Sequence, residues 1–316
     1  MKKDKLRAAI EAGLRRLPVA RSAYAERDAL RDRLLSTDAK LAEATASLEA
    51  QNFEREIARI LKGTDPALSF DRAILISRAL LEAQGLGSGS DVKSSGEVAV
   101  FKLVQHPAPV LFDVGGHLGE YTEAFLQAHP SGRAVIFEPS KVHFRILKDR
   151  LGRKENVTLV NKGLGERCGE FELYKNAEVS AIASLTKRRL DHFNIAMDKV
   201  EHVTVQTLDE ALQQHDVAAI DLLKIDVEGH ELDVLRGAAC AFRDKGIKLV
   251  QFEFGGCNLD TRTSLQDFYY FFREHGFTIG LIQPTARIHW LPQYDEFLEH
   301  YRTTNFIAAP SSCLPV

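Results

Sequence analysis

From Glu97 onward, short apolar runs alternate with segments of helical spacing, and this pattern limits the fold more than anything else in the chain. "PVLFDVGG" is a strand closed by glycines, and "LGEYTEAFLQAH" after it is helical. "RAVIFEP", "SKVHFRILKDRL" and "VTLVNKG" continue the alternation, as do "IDLLKIDVEG", "HELDVLRGAACAF", "KLVQFEF" and "LQDFYYFFREHG". "FTIGLI", "RIHWLP" and "TNFIAAP" close it. Strands alternating with helices predict an α/β fold, a mostly parallel sheet with helices on both faces. In such sheets ligands bind beyond the carboxyl ends of the strands. Residues that are costly to bury at those ends are therefore the candidates for function.

The N-terminal part differs in kind. Residues 1–64 are rich in Ala, Leu, Arg and Glu and read as a helical arm. Leu6, Ile10, Leu14 and Leu17 share one face among lysines and arginines, and Leu34, Leu41 and Leu48 recur at heptad spacing. The spacing predicts a short coiled coil, which packs on its own catalytic domain or dimerises. The basic face also suits peripheral contact with an anionic membrane surface. Residues 65–96 read as a helix and a Gly/Ser linker, with the boundary near Gly85 to Gly96, and 97–316 as the catalytic domain. Of 316 residues 45% are hydrophobic and 27% charged, with a net charge of −3, which gives no general pull toward nucleic acid. The four cysteines, Cys168, Cys240, Cys257 and Cys313, form no CxxC pair and read as free thiols of a cytoplasmic protein. No apolar run is long enough to span a bilayer, and the N-terminus has no apolar signal block.

Three strand ends carry the chemistry. In "FDVGGHLG", Gly115 and Gly116 allow a sharp turn close to a ligand, and Gly119 allows close helix packing. A dinucleotide fingerprint needs glycine at 114, where Val114 stands, and Asp113 suits a cationic ligand better than a pyrophosphate. The alternative is an Asp that caps a helix. In "VIFEPS", Glu138 is placed to accept hydrogen bonds from ribose hydroxyls, which fits NAD and S-adenosylmethionine alike. In "LLKIDVEGHELDVLRGA", Lys224 and Asp226 interrupt an apolar strand, where unpaired charge is costly. Glu228, His230 and, on the next strand, Glu253 stand nearby.

Together these motifs, with "SGE", "VTLVNKGLGE", "TLDEAL", "FEF" and "TNFIAA", resemble the FkbM family of S-adenosylmethionine-dependent methyltransferases, from about Ser95 to Pro310. Gly116 and His117 stand where the family usually has Ala and Asn. The resemblance implies a class I, Rossmann-like sheet of seven strands with the last, "TNFIAAP", antiparallel. It implies methylation of hydroxyls, often on sugars, glycans or natural products. Carried over by position, Asp113 and the glycine turn hold the methionine part, Glu138 the ribose, and Gly163 and Leu164 border adenine. Ser184 and Asp226 lie near the methyl-transfer point.

Asp226, Glu228 and His230 are candidate bases, and Asp226 with Glu253 could instead hold a divalent cation. A nicotinamide-dependent oxidoreductase is the enzymatic rival, opposed by the broken glycine register and the lack of a Tyr-x-x-x-Lys relay. A nucleic-acid methyltransferase is opposed by "DVEG" at the position of an Asn/Asp-Pro-Pro-aromatic turn. A coiled-coil scaffold with a degenerate sheet domain is opposed by the intact Asp113, Glu138 and Asp226 set. The segment Arg167–Lys199 reads as a loop that forms a substrate wall.

Overall fold

The computed structural model describes residue 55 and residues 70–89, 94–244 and 246–314. The amphipathic segment around Leu6 to Leu17 and the heptad positions Leu34, Leu41 and Leu48 lie outside them. The chain divides into two units, 1–76 and 77–316. Of the first, the description covers Arg55 and the opening of a helix, Phe70–Ala83. Among the described residues no helix is long and apolar enough to cross a membrane.

The second unit is built on strands β1 (Val110–Val114), β2 (Arg133–Phe137), β3 (Val157–Val160), β4 (Gly163–Leu164), β5 (Gly169–Lys175) and β6 (Lys199–Gln206). They are followed by β7 (Leu222–Ile225), β8 (Val250–Phe254), β9 (Phe277–Ile282), β10 (Ile288–Leu291) and β11 (Thr304–Pro310). Eight of these form one sheet in the order β10-β9-β11-β8-β7-β1-β2-β3. Strands β8, β7, β1, β2 and β3 pair in parallel, while β11 runs antiparallel to both β8 and β9. This is the class I arrangement, with the final strand inserted in reverse as expected. Strand β10 adds an eighth member as a hairpin partner of β9.

All five residues of β1 and all four of β7 are buried, as befits central strands covered on both faces. Alternation along β1 sends Phe112 and Val114 into one core, with Phe137, Ile225 and Phe252, and Leu111 into the other, with Phe125, Leu147 and Leu151. The chain order reverses between β1 and β7: β2 and β3 lie to one side, β8 to the other. A ligand cleft belongs at the carboxyl edge of that switch point.

Three stretches depart from the sequence reading. The expected loop Arg167–Lys199 contains β5 and the first residue of β6, which pair antiparallel and join β4 in a separate three-stranded sheet. The Gly/Ser stretch expected to act as a linker is tied down. The Gly87 amide donates to Thr304 Oγ1 at 2.9 Å, and the Gly89 amide to the Thr303 carbonyl at 2.8 Å. The helix expected over "HELDVLRGAACAF" is two short helices, Glu231–Arg236 and Ala239–Arg243, broken at Gly237 and Ala238.

Candidate active site at the carboxyl edge

A cavity of about 500 Å³ lies at the switch point, walled by the ends of β1, β2, β7 and β8, by β4, and by residues 180–183 and Leu185 of the segment between β5 and β6. Gly115 lines it with φ 83°, and a Cβ there would collide with the carbonyl of Asp226. Only glycine lets the turn after β1 lie against the turn after β7.

On the β2 side, Glu138 is 5% exposed and held from two directions. The His117 amide donates to its Oε2 and the Ser140 amide to its Oε1, both at 2.9 Å. A carboxylate has about four lone-pair sites, so two remain for a ligand. His143 brings Nδ1 to 3.7 Å from Oε1, and the rings of His117 and His143 meet edge to face at 4.6 Å. Burial, and then His143, push the His117 pKa down. Gly163 and Leu164 border the same end of the cavity.

Asp113, in β1, is fully buried and is not among the residues that line the cavity. It shares the Leu111 side of β1, over which the helix Glu120–Ala128 packs. There Thr122 Oγ1 donates to its Oδ2 at 2.6 Å, and Lys224 Nζ stands 3.8 Å from Oδ1. Burial pushes its pKa up, and the pull of Lys224 and Thr122 only partly offsets this. A Cβ at Gly116 would collide with Ile136, and one at Gly119 with Leu147 and Leu151, so both glycines allow close packing beside the turn. Ser184 is 1% exposed and donates to the Glu228 carbonyl at 2.7 Å, pinning the loop to the turn after β7.

That turn explains the crowding of charge in the sequence, because its charged residues have different tasks. Lys224 reaches forward to Asp226, with Nζ to Oδ2 at 3.0 Å. Burial opposes its charge, but Asp226, Asp113 and Glu97 outweigh this and hold its pKa above the ordinary lysine value. Glu231 is fully buried and accepts from the amides of Val227 at 3.1 Å and Gly229 at 3.0 Å, so it shapes the turn. His230 engages both ring nitrogens, with Thr186 Oγ1 at 3.0 Å from Nε2 and Asp233 Oδ2 at 2.7 Å from Nδ1. It also stands at the N-cap of Glu231–Arg236.

Asp226, Glu228 and Glu253 come together, each offering a carboxylate oxygen within 4.8 Å of the others. The sequence pointed to two carboxylates for a cation, and the fold supplies a third. Burial, then Asp226, raise the Glu228 pKa to about 8, against the opposing pull of Arg188, whose Nη1 lies 2.6 Å from Glu228 Oε2. Burial and the same neighbouring carboxylates hold Glu253 well above the carboxylate range. Arg188 also approaches Asp260, Nε to Oδ2 3.6 Å. Sequence reasoning passed over Arg188 because it lies in "TKRRLDHF", which resembles a solvated basic run. It also gave no role to Glu97, which lines the cavity, although "SGE" was in view.

The sequence pattern of the methyltransferase FkbM domain matches residues 113–279, just over half of the chain. The chain belongs to the FkbM methyltransferase family. This FkbM chain is 24% identical over 147 residues to 2-O-methyltransferase NoeI of Sinorhizobium fredii, covering 44% of this chain and 60% of that protein. It is 27% identical over 166 residues to hexuronic acid methyltransferase AglP of Haloferax volcanii, covering 51% and 64%. The FkbM chain thus spans about three fifths of the length of these curated relatives. A crystal structure of methyltransferase FkbM from Methylobacillus flagellatus aligns over 74% of this chain and 60% of its own, with 16% identity and a TM-score of 0.39.

Proposed function

We propose that the protein transfers a methyl group from S-adenosylmethionine to a hydroxyl of a sugar or glycan. The observation that carries this reading is the make-up of one cavity. At one end Glu138 is fixed by two backbone amides with lone pairs to spare, and at the strand edge of β7 and β8 stand three clustered carboxylates. The first fits the ribose of a nucleoside. The second fits hydroxyl groups that must be oriented and deprotonated. The name of AglP, a hexuronic acid methyltransferase, supports a sugar acceptor, and that of NoeI, a 2-O-methyltransferase, supports transfer to oxygen.

When bound, S-adenosylmethionine supplies a methyl group on a positively charged sulfur, already activated for displacement. The residues of this chain fix the nucleoside through Glu138 and align the acceptor oxygen against the edge at Asp226. Residues 180–183 and Leu185 form one wall of the cavity. Glu228 takes the acceptor proton on its carboxylate, since a carboxyl whose pKa lies near the working pH is an effective base. His230, with both nitrogens engaged, holds the loop and the turn together. Residues 1–64, with heptad leucines 34, 41 and 48, serve assembly, and the four free cysteines support a reducing, cytoplasmic setting.

A second reading is favoured by the approach of Asp226, Glu228 and Glu253 to one another, which suits a divalent cation bound to the acceptor hydroxyl. One experiment separates the two. The protein is incubated with methyl-labelled S-adenosylmethionine and a cell extract, with and without excess EDTA, and label is followed into lipid, polysaccharide and small-molecule fractions. Label in a saccharide fraction at equal rates in both arms is expected. Loss on chelation, restored by magnesium, establishes the cation instead, and label confined to non-sugar fractions overturns the acceptor class.

A further inference from the structure

The sequence placed the recognition of positive charge on Asp113, which is fully buried and does not line the cavity, whereas Glu97 does. We propose that Glu97 performs this task and binds the ammonium group of the cofactor's methionine end. The inference rests on the reading of the cavity as an S-adenosylmethionine site.

Glu97 opens the 3-10 helix Glu97–Leu103, just ahead of β1. Its position is set by Gly96, whose φ of 82° turns the chain against the carbonyl of Gln283, where a Cβ would collide. The side chain is 4% exposed and borders the cavity. Its carboxylate is aimed by neighbours. Ser95 Oγ donates to Oε1 at 3.2 Å, and Gln251 Nε2 on β8 donates to Oε2 at 2.8 Å. Gln251 is oriented in turn by the Tyr121 hydroxyl, which donates to its Oε1 at 2.6 Å. Each carboxylate oxygen thus keeps a lone pair free. Among the described residues, no basic nitrogen lies within 4 Å of Glu97, so a buried acid borders the cleft without an ion-pair partner of its own. Lys224 is directed instead to Asp226 and Asp113.

Topology places this acid correctly. Glu138 ends β2 and Glu97 contacts β8, and these strands flank β1 and β7, on opposite sides of the switch point. A nucleoside whose ribose rests on Glu138 extends its amino-acid tail past Gly115 toward Glu97. An ammonium there gives a charge-assisted hydrogen bond in a site shielded from water, where such bonds are strongest.

The test uses the full chain and three ligands in titration calorimetry: S-adenosylmethionine, S-adenosylhomocysteine and methylthioadenosine. The second keeps the ammonium without the sulfonium charge, and the third lacks both. Glu97→Gln is expected to weaken the first two by at least about tenfold and to leave methylthioadenosine unchanged. That unchanged binding also shows that the site is folded. Equal losses for all three ligands overturn the proposal in favour of a structural role, and loss for S-adenosylmethionine alone assigns the contact to sulfur. Should Glu97→Gln not fold, Glu97→Asp keeps the charge but withdraws it, and the same selective loss is required. If the unmodified protein binds none of the three, the cofactor reading itself has failed, which is a different outcome.

Discussion

Glu228 adopts φ 56°, a left-handed conformation that costs a non-glycine residue about 1–2 kcal/mol. The Arg188 ion pair and the Ser184 bond to its carbonyl help to hold it there. The strain sets its carboxylate beside Asp226 and Glu253, and burial there gives the pKa near 8. A base must be ionised to accept a proton, so turnover should rise with pH through about 8 and level off above it. Glu228→Gln should lower kcat by about 100-fold or more and abolish that rise, with S-adenosylmethionine affinity preserved. His230→Ala should keep near-normal turnover. A pH–rate profile of both variants checks this, and a profile unchanged in Glu228→Gln moves the base to another carboxylate. Asp113 shows how burial escapes a sequence reading. The sequence made its charge visible, but not that Thr122 and Lys224 would enclose it.

The carboxyl edge of the sheet behaves as one electrostatic element. Glu97, Glu228 and Glu253 all have folded-state pKa values above their ordinary ones, chiefly through burial. The folded chain therefore binds more protons than the unfolded chain at neutral and mildly alkaline pH, and its stability falls as pH rises. Histidines held low by burial, such as His117, act in the other direction, but their effect is complete once pH exceeds the unfolded value of 6.5. Without ligand, the melting temperature should decrease between about pH 7 and pH 8.5, and Glu228→Gln should flatten the decrease. Thermal melts across that range check it, and a flat or rising curve in the unmodified chain contradicts the burial of these charges.

Most of this element was legible. Asp226 and Glu138 stood out because they end apolar strands, and the strand–helix period gave β1, β2, β7, β8 and the reversed β11. What escaped was long-range. Strands β5 and β6 find each other across residues 176–198, and Gly96 needs the Gln283 carbonyl to explain it. Neither partner is near in sequence, so no local pattern announces the pairing.

For the whole molecule, the fold sets a cleft at a switch point and borders it with the 176–198 segment, the start of β11 and the tied Gly85–Gly89 stretch. Thr303, Asn305 and Gly89 border the cavity, and under the proposed function they are the residues expected to influence acceptor choice. Occupation of this cleft by an adenosyl sulfonium is tested by calorimetry with S-adenosylmethionine and NAD as separate titrants. Saturable binding of S-adenosylmethionine at one site per chain, with no heat from NAD, is expected. Binding of NAD, or of neither compound, would contradict it.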